Sequence, residues 1–316
     1  MLTALASEPQ YLATLAPIWV ALPPSVRGEF LLPDHLWPTA LAYGIEPAAW
    51  HTPKGTCLVA SYRDLGLTQG HPAILAEHGA GQTYQGCKLG YRHPNYAGGT
   101  GRDDVILFLC PGEANAEANR DAYPDTPAVV IGNPRYDRLR AIPVTNHEPT
   151  AAVAFHWSAG VCPESGTAWY HWRDHLDLLT DAYPRVLGTG HPRAYPELIQ
   201  WYEAAGIIPI ESFDVIVAEA DVLVADNTGV MYDWAALDRP VVALNAPEWR
   251  RTVNHGLRFW DAIPGLDVDD PVDLPGALDK ADSRHARRLR ARAVRAAYGH
   301  LEGSALVAAD AIMEVL

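Results

Sequence analysis

No Cys-x-x-Cys pair occurs in this 316-residue chain, and its four cysteines, Cys57, Cys87, Cys110 and Cys162, are widely and irregularly spaced. That spacing excludes a zinc ribbon and a disulfide framework, and leaves free, mostly buried thiols in a reducing cytoplasm as the simplest reading. No His-Glu-x-x-His motif is present, so neither a dedicated metal site nor a bound cofactor is expected. The first 22 residues contain no basic residue and carry Glu8, Pro9 and Pro17. They read as an amphipathic first helix rather than a signal peptide or a membrane span. Net positive charge is also lacking: the formal charge is −14. The body of the protein is therefore unsuited to non-specific binding of nucleic acid or acidic lipid, although a local basic site remains open.

What is present is a soluble globular composition, 48% apolar and 20% charged, with length enough for two domains. Apolar runs at 56–61, 73–78, 104–109 and 128–132 read as strands, with a helix at 111–121 between the last two. The stretch 84–102, rich in Gly, Tyr and Pro, reads as a long loop. Pro143 and Pro149 mark a linker. A second series follows, with strands near 151–156, 186–189, 207–210, 222–225 and 240–244, and a helix over 168–183. Strands alternating with helices predict doubly wound parallel sheets.

Three turns carry candidate chemistry. Asp226-Asn227-Thr228-Gly229 follows an apolar strand and precedes Trp234-Ala235-Ala236-Leu237, which read as a helix. Strand, small polar turn and helix is a layout that aims free N–H groups at an anion. Asn227 and Thr228 are expected to cap the helix, and Gly229 to let a phosphate approach; an ordinary capped turn is the alternative. Asp233 reads either as a partner for a ribose hydroxyl or as a charge interacting with the helix dipole. Gly190-His191-Pro192-Arg193 ends a short strand with a cationic pair suited to a pyrophosphate. His78 ends another strand, where open α/β sheets bind ligands. It could take a proton from an acceptor hydroxyl or simply close a loop. Glu77 is a candidate to orient its ring, although strand neighbours face opposite ways. Gly79 and Gln82 complete this side.

Four segments in this order, Leu75–Gln82, Ile131–Leu139, Val186–Arg193 and Asp226–Asp233, resemble the CDP-glycerol glycerophosphotransferase family of the teichoic-acid polymerase type. The resemblance covers roughly residues 70–265. Gly132-Asn133-Pro134-Arg135-Tyr136-Asp137-Arg138-Leu139 is its specific element. Asp226 to Asp233 keeps the family's pattern but lacks both of its serines. His78-Gly79-Ala80-Gly81-Gln82 departs from the family's His-Gly-Thr-Pro, so acceptor recognition is expected to differ.

The resemblance implies a GT-B-like fold of two Rossmann-like domains facing a cleft. Residues 1–147 would form the acceptor side and 148–316 the donor side, with helices near 283–298 and 302–315 packing back. It implies transfer of glycerol phosphate, or a related alcohol phosphate, from a CDP-alcohol to an acceptor hydroxyl. His78 would be the base, and His191 would contact the donor phosphates. Arg251 and Arg258 could add positive charge. Arg135 reads first as a structural partner of Asp137 and second as a substrate contact. A sugar transfer or 2-epimerase-like reaction on an NDP-sugar uses the same scaffold, and a non-catalytic nucleotide- or glycan-binding relative is a third reading. Arg284, Arg287, Arg288, Arg292 and Arg295 share one face of a helix. They suit either an anionic polymer or membrane surface, or a solvated face paired with the acidic body.

Overall fold

The computed structural model describes residues 1–80, 95–145, 148–158, 166–249 and 262–316. The chain divides into two compact units, Met1–Arg138 with Ala296–Leu316, and Leu139–Arg295.

In the first unit the strands are β1 (Leu2–Leu5), β2 (Arg27–Leu31), β3 (Pro47–Ala48), β4 (Thr56–Val59), β5 (Ala73–Ala76), β6 (Val105–Cys110) and β7 (Ala128–Val130). They form one sheet in the order β3-β2-β1-β4-β5-β6-β7, and each paired neighbour runs parallel. Its helices are α1 (Pro9–Ala21), α2 (Trp37–Ala42), α3 (Tyr62–Leu65), α4 (Glu113–Ala122) and, at the boundary, α5 (Tyr136–Arg140). The central strands are short apolar runs buried along their whole length, as expected of a sheet covered on both faces.

The N-terminal segment corrects the sequence expectation. Leu2–Leu5 is a strand at the centre of the sheet, and the helix begins only at Pro9, a residue preorganised for the first helical position. Four apolar residues look alike in a buried strand and a buried helix, so periodicity could not separate them.

In the second unit the strands are β8 (Thr150–Phe155), β9 (Arg185–Gly190), β10 (Ile208–Pro209), β11 (Val222–Ala225), β12 (Val241–Leu244) and β13 (Leu266–Val268). Their order is β10-β9-β8-β11-β12-β13, again parallel throughout. The helices are α6 (Trp169–Trp172), α7 (Asp177–Ala182), α8 (Tyr195–Ala204), α9 (Phe213–Glu219), α10 (Val230–Ala236), α11 (Leu274–Asp279) and α12 (Arg284–Ala297), which reaches past the unit's end. The helix expected over 168–183 is broken. Trp172 turns inward, its Nε1 donating to the Asn245 carbonyl at 2.6 Å, and Arg173–His175 tighten into a 3-10 turn.

The strand order reverses between β1 and β4 in the first unit and between β8 and β11 in the second. In open α/β sheets, ligands bind outside the carboxyl ends of the strands at such points.

The closing helix α13 (Ser304–Val315) belongs to the first unit, and the division before it falls at 138/139 against the expected 147/148. Ala308, Ala309, Ala311 and Ile312 enter the same core as Leu12, Leu15 and Trp19 of α1. The Gly132–Leu139 element seats this segment. Gly132 has φ +77, and a Cβ there would stand 2.0 Å from the His300 carbonyl oxygen and 2.6 Å from Ser304 Oγ. Asp137 Oδ2 accepts the Gly303 N–H at 2.9 Å. Gly132→Ala is therefore expected to cost about 2 kcal/mol or more, through a forbidden φ and a backbone clash. Urea unfolding reads this as a lower midpoint; an unchanged midpoint would contradict the seating role.

Candidate functional site

In the first unit, the carboxyl ends of β1, β4 and β5 present Ser7, Ala60, Ser61 and His78. His78 Nδ1 lies 2.7 Å from the Ala60 carbonyl oxygen, and the Tyr11 ring of α1 packs against the imidazole edge to face, 4.6 Å between centroids. A carbonyl only accepts, so the neutral ring carries its proton on Nδ1 and its lone pair on Nε2. That tautomer is the one a general base needs. The ring is held beside the strand-order reversal by the Ala60 carbonyl and Tyr11.

Glu77 does not orient the ring. Its carboxylate is buried and accepts from Asn115 Nδ2 at 2.7 Å, Asn119 Nδ2 at 2.9 Å and Arg102 Nη1 at 3.2 Å. Burial pushes its pKa up, while Arg102 and the two amides pull it down. Glu77 is thus part of an internal network that also ties Arg102 to the Tyr96 carbonyl, not an acceptor contact. Gly79 has φ +83, which turns the chain away directly after His78. Gln82 lies outside the described residues.

Sequence reasoning missed Asp64, which sits beneath the same strand ends. It accepts Ser7 Oγ at 2.5 Å and Ser7 N at 3.1 Å, and its own N–H donates to Ser61 Oγ at 3.2 Å. Burial raises its pKa to about 6 against these bonds. The folded protein thus holds a proton that the unfolded chain releases near pH 4. The associated stability is full below that pH and is lost as pH rises through 6, a fall of about 2–3 kcal/mol. Asp64→Asn is expected to flatten this slope in urea unfolding between pH 4 and pH 8. A slope identical to wild type would contradict the assignment.

In the second unit, Phe155 ends β8, Gly190 ends β9 and Ala225 ends β11. His191 follows Gly190, and its N–H donates to the Phe155 carbonyl at 2.9 Å. His191 Nδ1 accepts the Arg193 N–H at 3.2 Å, so its proton in the neutral form sits on Nε2, the reverse of His78. The His156 ring meets the His191 ring at 5.0 Å, and Trp157 lies 5.8 Å from His191. The exposed Arg193 guanidinium covers the Trp157 ring at 4.7 Å. Two imidazoles, an indole and a guanidinium thus gather at the reversal point. His156 and Trp157 were missed in the sequence. The available signal was the one used for His78: a histidine directly after an apolar strand.

Gly190 has a packing role. A Cβ there would stand 2.6 Å from Leu198 Cδ1 of α8 and 3.0 Å from the Phe155 carbonyl oxygen. Asp226 organises the turn after β11. Its carboxylate accepts His156 N at 2.7 Å, Ala168 N at 2.9 Å and Thr167 Oγ1 at 2.9 Å, and the Asn227 N–H as well. Full burial raises its pKa to about 7 against those four donors.

This arrangement corrects the expected amide clamp. The Asn227 N–H serves Asp226, the Thr228 N–H donates to the Asp226 carbonyl at 3.0 Å, and no side chain caps α10. The Asn227 side chain reaches the Gly166 carbonyl instead, at 3.5 Å. Among the described residues, the N–H groups of Gly229 and Val230 have no such commitment. Gly229 is exposed, and a Cβ there meets nothing within 4 Å. Asp233 is buried in the first turn of α10, a position that favours a negative charge.

Arg135 does not pair with Asp137, which is spent on Gly303; the Arg135 N–H donates to Asn133 Oδ1 at 3.0 Å. Arg251 and Arg258 lie outside the described residues. Among the described residues no group of three His, Cys, Asp or Glu side chains could hold a metal ion, and no helix is long and apolar enough to cross a membrane. Asp267 in β13 and Asp269 directly after it accept from Asn245 Nδ2, at 3.4 and 2.7 Å.

Residues 186–302 match the sequence model of the CDP-glycerol:poly(glycerophosphate) glycerophosphotransferase family. No curated protein sequence matches the chain. Among solved structures, a variant of the wall teichoic acid polymerase TagF soaked with CDPG aligns with a TM-score of 0.64 at 12% identity, over 99% of this chain and 88% of that one. The S. aureus MnaA–UDP structure aligns with a TM-score of 0.68 at 14% identity, over 99% and 94%. Anabaena HepE in complex with UDP aligns with a TM-score of 0.52 at 12% identity, over 100% and 99%. The chain therefore has the two-unit parallel α/β architecture of these proteins, and its segment 186–302 carries the sequence signature of the glycerophosphotransferase family.

Proposed function

We propose that this protein is a nucleotide-diphosphate-dependent transferase that moves glycerol phosphate, or a related alcohol phosphate, from a CDP-alcohol to an acceptor hydroxyl. The observation that carries the reading is the His191–Arg193 turn at the reversal point of the second unit. It lies within the segment that matches the family, and the uncommitted amides of Gly229 and Val230 follow the adjacent central strand. TagF soaked with CDPG and the UDP complexes of MnaA and HepE share the fold, which supports a nucleotide donor.

In the proposed reaction the acceptor O–H gives its proton to His78 Nε2 as its oxygen bonds to the β-phosphorus. The bond from that phosphorus to the bridging oxygen breaks, and CMP leaves with the electron pair. His191, Arg193 and the Gly229 and Val230 amides neutralise the diphosphate as negative charge shifts to the leaving group. For a loose transition state of this kind, positioning and electrostatics supply most of the rate. These groups provide that neutralisation without a metal ion. Free, buried thiols at Cys57 and Cys110 support placing the protein in the cytoplasm.

A thermal-shift series with CMP, CDP, UDP, GDP and dTDP tests the donor assignment. A ligand at 100 times its Kd adds about 2.7 kcal/mol of stability. Stabilisation by cytidine nucleotides alone is expected. Stabilisation by uridine nucleotides alone would favour a sugar transfer or epimerisation, in which attack falls on carbon. No response to any nucleotide would overturn the donor reading.

A further inference from the structure

Two contacts that hold His78 come from segments distant in the chain. The Ala60 carbonyl stands directly after β4 and accepts from Nδ1, and the Tyr11 ring belongs to the first turn of α1. One buried carboxylate ties these two segments together. Asp64 of α3 lies three residues after Ser61, whose Oγ accepts the Asp64 N–H at 3.2 Å as the cap of that helix. An acidic residue at this place in a capped helix ordinarily turns back to the capping residue's own N–H. Asp64 turns instead to Ser7, 57 residues away in the chain, and accepts its Oγ at 2.5 Å and its N–H at 3.1 Å.

Both supports of the imidazole adjoin this tie. Ser61 is the residue after Ala60, and Ser7 lies four residues before Tyr11. A second link crosses the same two segments, where Arg63 of α3 pairs with Glu8, the N-cap of α1. The Arg63 side chain is 60% exposed, so that ion pair contributes little. Asp64 is fully buried, and its two charge-assisted bonds to Ser7 are the stronger tie. Burial pushes its pKa to about 6; the Ser7 bonds oppose that shift, Glu8 adds to it and Arg63 opposes it. A carboxyl is an unfavourable group to bury for packing alone. Its place under the strand ends that carry His78 gives it a different task.

We propose that Asp64 is a positioning residue for His78. By joining Ser7 to the cap of α3, it fixes the Tyr11 ring and the Ala60 carbonyl relative to each other. The imidazole is thereby held with its proton on Nδ1 and its lone pair on Nε2. Asp64 acts through the ring and touches neither substrate. The inference rests on the transferase reading only for its kinetic consequence; the tautomer that Ala60 selects is a property of the folded protein alone.

Long-range proton–nitrogen correlation spectra of the full chain test this, because they separate the two neutral tautomers of each histidine. His78→Asn identifies the His78 signals. Asp64→Ala should move His78 from the Nδ1–H form to a mixture of both, while His191 in the second unit keeps its signals. The side chain of Asp64→Asn can accept the Ser7 N–H and donate to Ser7 Oγ, so this variant should restore the Nδ1–H form. Turnover of a CDP-alcohol should fall about 10- to 100-fold in Asp64→Ala, with donor affinity within about twofold, and rise again in Asp64→Asn. Adding Asp64→Ala to His78→Asn should cost no further turnover, because the residue to be positioned is gone. Circular dichroism checks folding. If Asp64→Ala does not fold, Ser7→Ala replaces it; this variant removes only the Oγ bond and should shift the His78 signals in the same direction. Unchanged His78 signals in a folded variant would overturn the inference, as would an equal loss of turnover in the wild-type and His78→Asn backgrounds. A shifted tautomer with no turnover by wild type would sink the transferase reading and leave the positioning role standing. Turnover by wild type with no tautomer shift would do the reverse.

Discussion

Replacing His78 with asparagine is expected to lower kcat by about 10²–10⁴-fold, the usual contribution of a positioned general base. Asparagine suits the experiment because its amide can still donate to the Ala60 carbonyl, the bond His78 makes at 2.7 Å. The packing against Tyr11 is partly kept, and no basic nitrogen remains. Donor affinity should stay within about twofold, because the donor contacts proposed here come from His191, Arg193 and the amides after β11. A variant that retains full activity would make His78 a loop-closing residue. A variant that loses donor affinity and activity together would place it on the donor instead.

The second large effect belongs to His191. His191→Ala removes the proposed donor to the phosphates and the ring that packs against His156 and Trp157. A charge-assisted hydrogen bond of this kind contributes about 1.5–3 kcal/mol, so donor affinity should weaken roughly 10- to 150-fold. The loss in kcat/KM should be larger, because charge on the leaving diphosphate grows toward the transition state. His191→Asn separates the roles, since its side-chain oxygen can still accept the Arg193 N–H that Nδ1 now accepts at 3.2 Å. If asparagine restores donor affinity fully, the histidine only shapes the turn. If both variants lose affinity, the ring itself contacts the phosphates.

Much of the architecture was legible in the apolar runs, because a parallel sheet buries both faces and its strands read as continuous apolar segments. The strand ends at His78 and His191 could be read for the same reason. Strand β1 was not legible, since Leu2–Leu5 has no alternation and no internal turn to distinguish it from the helix that follows. Four site assignments changed for reasons of tertiary packing that no spacing reveals. Glu77 faces a buried arginine and two asparagines from distant parts of the chain. Asp137 serves Gly303, 166 residues away. Gly190 gains a packing constraint from Leu198 of α8. Asp226, which reads as the first residue of an anion-binding turn, is a buried acceptor that consumes the amides expected to be free.

The claim at the centre of this account is attack on phosphorus, and the nucleotide released reports it most directly. Wild type and His78→Asn are incubated with CDP-glycerol and a glycerol-phosphate-terminated acceptor, and the products are followed by phosphorus NMR. The account predicts CMP and a new phosphodiester in equal amounts from wild type, and both formed at least about 100-fold more slowly by the variant. Release of CDP would place the attack on carbon and contradict it, as would equal CMP release from both proteins.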